Sequence, residues 1–378
     1  VRNRSSYISK LSEVENNHPA NQPLVSWGFH HYFHGRLTKH DLDRISSTRP
    51  IVVIHRSFHE FILNTPAMRL LGITKNAFTD LGADAPLANF NDGHFSERGA
   101  ILVLPNLMQI LAKPSKLING LQKTKNYLHS NGITVIGNPG SMHSKELQAA
   151  KNYTFGNIDS PFESYFFPSA LNLSEKFRSN EILDAATEQI SWGTGKLNYL
   201  PKHIKLFTDG AMYSQNMVMR DGYLDNHQGS WLMDLQTYEN LFKIFWNDGY
   251  QIHIHQNGDA GLDRLLKTLE KNIKENPRDD HRTTVVHFGY SAKDQLKKMK
   301  ELEVVISANP YYVKALSDLY SRKGVGFERS QEMVRLGDAI KEGIKVALHS
   351  DMPMAPASPL ILMHAAVNRD NFTGNVAG

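Results

Sequence analysis

From about residue 130 onward, short β-rich runs alternate with segments of helical periodicity. Between the runs lie amphipathic segments such as "DLQTYENLFKIFWNDG", whose apolar residues recur on one helical stripe. Alternating helices and apolar strands are typical of a parallel sheet covered by helices. The sequence therefore predicts an α/β fold, a TIM (β/α)8 barrel of which seven strands are visible and one should precede residue 130. The seven runs are "GITVIGNPG" (132–140), "ESYFFPSAL" (163–171), "HIKLFTDG" (203–210), "YQIHIHQNGD" (250–259), "RTTVVHFGY" (282–290), "LEVVISANP" (302–310) and "IKVALHSDM" (344–352).

The first third of the chain follows a different pattern. "RPIVVIHRSFHEFILNT" and "RGAILVLPNL" resemble strands, and the polar, turn-rich stretch "TDLGADAPLANFNDGHFSERG" separates them. We interpret residues 21–105 as an insertion or cap subdomain and residues 1–20 as an N-terminal helical segment. Residues 106–378 then form the barrel.

Composition excludes several classes of protein. The 42 Lys and Arg against 38 Asp and Glu leave a charge of +4, and the basic residues are scattered, so no nucleic-acid surface is expected. The absence of cysteine excludes disulfides and cysteine zinc sites. No run approaches the roughly 18 apolar residues of a membrane span, so no membrane partner is expected. We expect a cytoplasmic protein with a small-molecule substrate. The sequence leaves open whether the protein forms a homo-oligomer.

Polar residues concentrate where the predicted strands end. In a parallel barrel, the strand ends and the loops that follow them build the site. The successive intervals, from Lys205 to His255, from His255 to His287 and from His287 to Asp351, are 50, 32 and 64 residues. They correspond to one, one and two barrel units of roughly 31 residues. We therefore expect these side chains to converge at one mouth. The polar residues at the strand ends are Lys205, Asp209, His253, His255, His287, His349 and Asp351.

This set of side chains is suited to a metal. Neutral imidazoles and a carboxylate are ligands for Zn2+, and a catalytic zinc site keeps one position for water, whose pKa falls to about 7. Each histidine taken alone is more often an ordinary hydrogen-bonded residue than a metal ligand. Lys205 could pair with Asp209, and Asp351 could open a turn before "MPMAP". Their joint placement on successive strand ends favours the metal site.

At these residues the sequence resembles the amidohydrolase superfamily, in its family-3 (YtcJ-like) branch. The matching segments are "KLFTDGAMYSQ", "HIHQNGDAGLDRLLKTLE", "TTVVHFGYS" and "LHSDMPMAPASPL". Upstream, "GRLTKHDLDRISSTRPIVVIHRSFHEFILNTPAMRLLGIT" resembles the insertion that this branch carries between its first and second barrel strands. The resemblance implies that residues 106–378 hold strands 2–8 of a metallo-dependent hydrolase barrel.

The resemblance also implies roles for individual residues. His255 and His287 would be metal ligands from the fifth and sixth strands, and Asp351, from the eighth, would be both ligand and proton shuttle. Lys205, from the fourth strand, resembles the lysine that many relatives carboxylate to bridge two metals. The implied cofactor is a divalent metal, most simply Zn2+, as one or two ions. The residues assigned to substrate binding or to support of the ligands are His59, Asp209 and His253.

One element of the family pattern is missing. The family has an HxH motif at the end of its first strand, and the histidines of "FHHYFH", His30, His31 and His34, do not fit its spacing. We expect the chain to lack that strand and the flanking β-sandwich. The implied activity is hydrolysis of a carbon–nitrogen bond, most simply an amide. The alternatives are a catalytically silent barrel that serves as a binding or scaffold protein, and a glycosidase with paired carboxylates, which the histidine-rich strand ends disfavour.

Overall fold

The computed structural model describes residues 3–76 and 87–377, and the chain divides into two compact units. Unit 1 comprises Val1–Lys113 with Ala211–Asn216, and unit 2 comprises Pro114–Gly210 with Met217–Gly378. The predicted N-terminal segment and insertion thus belong to one unit, which extends beyond residue 105. Part of the turn-rich stretch, residues 79–86, lies outside the described residues.

Unit 1 is built on a mixed five-stranded sheet. Its helices and strands are α1 (Arg4–Asn17), β1 (Leu24–Phe29), α2 (His31–His34), α3 (Lys39–Ile45), β2 (Ile51–His55), β3 (Glu60–Leu63), α4 (Thr65–Leu70), β4 (Ala88–Asn89), β5 (His94–Ser96) and α5 (Arg98–Leu111). The strand order is β1-β2-β3-β5-β4, with β1 and β2 parallel and the other pairs antiparallel. Helix α1 buries Tyr7 and Leu11 in the same cluster as Leu24 and Phe29 of β1, so it is packed against the sheet.

The prediction of a strand at "RGAILVLPNL" is wrong. The segment lies in the helix α5, with Pro105 inside it, and Val103, Leu107 and Ile110 are buried on one side. A short continuous apolar run does not distinguish a buried strand from a buried helix by periodicity. Here the apolar residues continue to Leu111, a length that suits a helix.

Unit 2 contains all seven predicted strands and one more. Its elements are α6 (Pro114–Ser130), β6 (Val135–Ser141), α7 (Lys145–Phe155), β7 (Glu163–Pro168), α8 (Ala170–Ser174), α9 (Ile182–Ile190), β8 (Leu197–Tyr199), β9 (His203–Phe207), α10 (Leu235–Asn247), β10 (Gln251–Gln256), α11 (Asp259–Glu275), β11 (Thr284–His287), α12 (Lys293–Glu301), β12 (Val305–Ala308), α13 (Tyr311–Lys323), α14 (Phe327–Gln331), α15 (Leu336–Lys341), β13 (Val346–Leu348) and α16 (Pro359–Asn368). The strand absent from the prediction is β8.

The strands of unit 2 form two parallel sheets. One has the order β6-β7-β8 and the other β13-β12-β11-β10-β9. An isolated bridge between Ser169 and Lys205 connects the segment after β7 to β9. Strand pairing does not join these strands into one closed barrel, because β6 and β13 each end a sheet. What the structure bears out is the parallel α/β arrangement.

Amphipathic helices cover the larger sheet. The predicted helix at "DLQTYENLFKIFWNDG" is α10, and Asp234 caps it by accepting a hydrogen bond from the Thr237 backbone N–H at 2.9 Å. Its side chains Tyr238, Phe242 and Trp246 are fully buried. Burial of an aromatic side chain of this size contributes about 2–3 kcal/mol to the free energy of unfolding. The buried side of α10 therefore packs against β9 and β10.

No single helix among the described residues is both long and apolar enough to cross a membrane. The broken pair α5 and α6 reaches that length and composition only when the two are taken together.

Candidate functional site

In unit 2, the parallel register brings the predicted site residues to one edge of the sheet. His253 of β10 is level with Lys205 of β9, while His255 is level with Phe207. His287, the last residue of β11, is level with Gln256, one residue beyond His255. Lys205 thus starts one interior layer below His255, and its long side chain can extend toward the strand end. The expected separation of His253 and His255 into two layers follows from this register.

His287 is at the centre of a chain of polar contacts. Its Nδ1 is 3.0 Å from Nε2 of His349, and Nδ1 of His349 is 2.9 Å from Oγ of Ser307. The ring of His255 meets the ring of His287 edge to face, with centroids 4.6 Å apart. Asp351 places Oδ2 4.0 Å from Nδ1 of His287. The ends of β10, β11 and β12 and the segment after β13 therefore converge here.

Backbone strain accompanies this convergence. His287 has φ +80° and Phe288 has φ +54°, both in the left-handed region that non-glycine residues rarely adopt. Asp351 has φ +55°. Each such residue costs on the order of 1 kcal/mol or more, and such strain clusters at functional sites. The fold holds two of the predicted site residues in strained conformations.

Lys205 is a buried cation in this region. It is 4% exposed, and burial lowers its pKa to about 7, while the negative charge of Asp351 opposes the shift. A large fraction of the side chain is thus a neutral amine near neutral pH. Gly140 packs against its aliphatic part, where an added Cβ would lie 3.3 Å from Cγ of Lys205.

Asp209 supports the loop that follows β10. Its carboxylate accepts hydrogen bonds from the backbone N–H groups of Val218, Asn257 and Gly258 at 2.9, 3.1 and 2.7 Å. A Cβ on Gly261 would lie 2.5 Å from Oδ1 of Asp209, so only glycine fits there. Burial nevertheless raises the pKa of Asp209 to about 6, against these hydrogen bonds. Asp209 positions the residues next to His255.

His253 contacts aromatic rings and another histidine. Its Nε2 is 2.9 Å from Nδ1 of His203, and its ring lies 4.4 Å from that of Phe167 between centroids. Burial, together with smaller effects of the neighbouring His203 and Lys205, lowers the pKa of His253 to about 3. The imidazole is therefore neutral over the physiological range.

A cavity of about 840 Å3 opens beside these residues within unit 2. Its lining includes His253, His287, His349 and Asp351 among mostly apolar side chains. A volume of 300–1,000 Å3 with a few convergent polar groups is typical of a small-molecule site. Four of the residues predicted at the strand ends, His253, His287, His349 and Asp351, thus line this cavity.

The donor set in unit 2 fits a divalent metal by its chemistry. His255, His287 and Asp351 are two imidazoles and a carboxylate, and Lys205 is a buried amine beside them. His349 is not among the metal ligands that the family resemblance implies, yet the structure places its ring against that of His287. Its position two residues before Asp351, after a strand, was the available signal.

A second group of histidines lies in unit 1. His30, His31 and His55 each offer a ring nitrogen within 4.8 Å of the other two. Among residues 3–76 and 87–377, these three histidines are the one group whose possible metal-ligand atoms all lie within 4.8 Å of one another. The spacing of His30 and His31 does not fit the family's HxH motif, and no sequence pattern marks His55, which lies 24 residues after His31.

The predicted substrate residue His59 also lies in unit 1. Its Nδ1 is 2.7 Å from Oε2 of Glu97, and Oε1 of Glu97 accepts a hydrogen bond from the Ala211 N–H at 3.2 Å. Glu97 is fully buried and has φ +47°. Nothing in "FSERG" marked this glutamate in the sequence.

Comparison with known families and proteins gives consistent matches along the chain. The sequence model of the family described as the amidohydrolase family matches residues 5–378. The amidohydrolase YtcJ of Bacillus subtilis is 23% identical over 378 aligned positions, which cover 97% of this chain and 68% of YtcJ. The N-substituted formamide deformylase of Arthrobacter pascens is 21% identical over 97% of this chain and 69% of that protein.

Solved structures show the same fold. A metal-dependent hydrolase from Pyrococcus horikoshii superposes with a TM-score of 0.69 at 19% identity, covering all of this chain and 70% of that one. A metal-dependent hydrolase from Pyrococcus furiosus gives a TM-score of 0.64 at 20% identity, with 98% and 71% covered.

Proposed function

The chain belongs to the amidohydrolase family, and on this premise we propose that it hydrolyses a carbon–nitrogen bond, most simply an amide, with metal-activated water. Family membership supports the coarser statement, a metal-dependent hydrolase. The observation that carries the proposal is the convergence of Lys205, His255, His287 and Asp351, of which His287 and Asp351 line one cavity. We assign the scaffold as a TIM (β/α)8 barrel in which β6, β7 and β9 to β13 are strands 2 to 8.

His255, His287 and Asp351 would hold the metal, with Lys205 as a further ligand. A divalent ion bound there, in our proposal Zn2+, would lower the pKa of a water molecule and polarise the substrate carbonyl. His349 holds the ring of His287 through the contact at 3.0 Å, and Ser307 holds His349 in turn. Partners of this kind fix the orientation of a ligand and raise its basicity.

Lys205 would act as an anionic ligand after reaction with carbon dioxide. Its neutral amine, abundant because the pKa is about 7, attacks the carbon of CO2. A nitrogen–carbon bond forms, one carbon–oxygen π bond becomes an oxygen lone pair, and the nitrogen loses a proton. The resulting carbamate removes the cost of burying an ammonium.

Asp351 would carry the proton to the leaving amine. Its side chain is 37% exposed and lines the cavity, while its Oδ2 lies 4.0 Å from Nδ1 of His287. It can therefore contact both the proposed metal site and a substrate in the cavity. A positioned carboxylate that accepts a proton from water and delivers it to nitrogen contributes about 10²–10⁴-fold to the rate.

A silent, purely binding barrel is not favoured. Such a protein would gain nothing from keeping Lys205 buried or His287 and Asp351 in strained conformations, because each of these features costs free energy of folding.

Removal and return of metal test the proposal. The substrates are N-substituted formamides, suggested by the activity in the name of the Arthrobacter relative, and other simple amides, with release of the amine as readout. We expect release by the zinc-loaded protein, a loss of about 100-fold or more after chelation, and recovery on reloading. Hydrolysis that is indifferent to chelation would contradict the metal-dependent mechanism. If no member of the panel is cleaved at saturating metal, the carbon–nitrogen assignment is wrong.

A further inference from the structure

We propose that unit 1 binds a divalent transition-metal ion, of the Zn2+ class, at His30, His31 and His55. The proposal stands on residues of unit 1 alone and does not depend on the function proposed for unit 2.

The strand pairing of unit 1 explains why these histidines meet. Strands β1 and β2 are parallel neighbours, and Phe29 at the end of β1 is paired with His55 at the end of β2. His30 follows Phe29 directly, and His31 begins the short helix α2. The carboxyl ends of two adjacent parallel strands therefore deliver three imidazoles to one point.

The rings are close enough for a shared ion. The ring centroids of His30 and His55 are 5.0 Å apart, and the ring of His31 lies 5.4 Å from each. Tetrahedral nitrogen ligands at about 2.0 Å from zinc lie about 3.3 Å from one another. The ring nitrogens fall within 4.8 Å of one another, so binding an ion would require the rings to move closer together.

Two of the nitrogens are buried without a hydrogen bond. Nε2 of His30 and Nε2 of His55 have none, and both side chains are 1% exposed. A buried polar group left unsatisfied costs about 1–3 kcal/mol. Coordination of an ion by both nitrogens would relieve this cost, and neutral imidazoles are the form that zinc binds.

A buried carboxylate supports the cluster. Glu60 is 5% exposed, its Oε2 is 2.8 Å from Nε2 of His94, and its Oε1 has no hydrogen bond but lies 3.6 Å from Nδ1 of His55. A carboxylate behind a coordinating histidine is a common outer partner at metal sites. Its negative charge also offsets the charge that an ion would bring into the interior.

Binding requires a change of tautomer. Without metal, Nδ1 of His55 accepts a hydrogen bond from the Ser57 N–H at 3.1 Å, and Nδ1 of His30 accepts one from the Tyr32 N–H at 3.2 Å. Each Nε2 therefore carries the proton. Coordination at Nε2 moves that proton to Nδ1 with no net proton release. For His55 the new Nδ1–H has acceptors at hand in Oγ of Ser57, 2.9 Å away, and in Glu60. For His30 the hydrogen bond to Tyr32 is given up.

The half-buried His31 is the side chain to change. His31→Gln removes one ligand at the start of α2, and His40→Gln, an exposed histidine on α3, is the matched control. Both are made in full-length protein that also carries His255→Asn and His287→Asn, so that metal in unit 2 does not contribute. The probe is Zn2+ alone, with bound metal counted after dialysis and folding checked by circular dichroism.

We expect about one equivalent of Zn2+ to remain when unit 2 lacks its histidine ligands. His31→Gln should weaken that binding by about tenfold or more, and His40→Gln should leave it unchanged. X-ray absorption of the zinc-loaded parent, which needs no change in the cluster, should show imidazole nitrogens at about 2.0 Å. Failure of the parent to retain zinc, equal retention by His31→Gln, or a spectrum without imidazole would each overturn the proposal. Because this background lacks the ligands proposed for catalysis, its result is independent of whether the protein hydrolyses amides.

Discussion

The two units gather histidines by the same structural rule and surround them differently. In unit 1, His30 and His55 follow the ends of parallel strands β1 and β2, and in unit 2, His255 and His287 occupy the ends of parallel strands β10 and β11. Adjacent parallel strands end at one edge of a sheet, so histidines at their ends meet. Convergence alone therefore does not distinguish the two sites.

The surroundings make the difference. The histidines of unit 2 have a buried lysine, a half-exposed aspartate and a cavity of about 840 Å3 beside them. In unit 1, His55 lies beside Glu60, and the Nδ1 atoms of His30 and His55 accept hydrogen bonds from nearby backbone N–H groups. A site that moves protons and admits substrate needs the first kind of surroundings, whereas a site that only holds an ion can have the second.

The larger effect on stability is expected at Lys205. The folded protein holds its pKa near 7, against 10.5 in the unfolded chain, so between these values the unfolded state binds more protons. The free energy of unfolding should therefore rise with pH from about 7 to 10.5. Lys205→Met should abolish hydrolysis, remove this slope and stabilise the protein at pH 7 by on the order of 2–4 kcal/mol. Urea unfolding at several pH values in CO2-free buffer measures the free energy of unfolding. If its dependence on pH is the same in the variant as in wild type, Lys205 is not the buried group responsible.

A smaller effect of the same sign is expected at His55, in a lower pH window. Its folded pKa is about 3 against 6.5 when unfolded, so stability should be lost as the pH falls through that window, because the unfolded state takes up the proton. His55→Gln should reduce the loss between pH 7 and pH 4 by on the order of 2 kcal/mol. His40→Gln, exposed in the same unit, is the control. Identical acid sensitivity in wild type and His55→Gln would mean that His55 is not buried as a neutral ring.

The site of unit 2 could largely be placed from the sequence. Strand ends in a parallel sheet follow from the hydrophobic pattern, and the positions of His255 and His287 relative to those ends were sufficient to predict that they meet. His349 was visible in the sequence as a strand-end residue, but its contact with His287 depends on side-chain geometry that no spacing contains. Glu97 reaches His59 across 38 residues, a tertiary contact without a local signal.

Elsewhere the sequence was less informative. The apolar run of α5 carries no period that separates helix from strand, and the local spacing of His30 and His31 gave no hint of His55. That cluster depends on the parallel pairing of β1 and β2, which neither segment predicts on its own. A closed barrel likewise depends on strand pairing. Because the strands of unit 2 pair into two separate sheets, the closed (β/α)8 barrel stays a proposal.

The central claim, that hydrolysis takes place at the strand ends of unit 2, is tested most directly by the turnover of Asp351→Asn at saturating Zn2+. Asp279→Asn, an exposed residue of the same unit, is the matched control. We expect Asp351→Asn to fold normally and to lose about 10²–10⁴-fold in kcat, since it lacks the group that would carry the proton, while Asp279→Asn keeps the wild-type rate. A wild-type rate in Asp351→Asn would contradict the account.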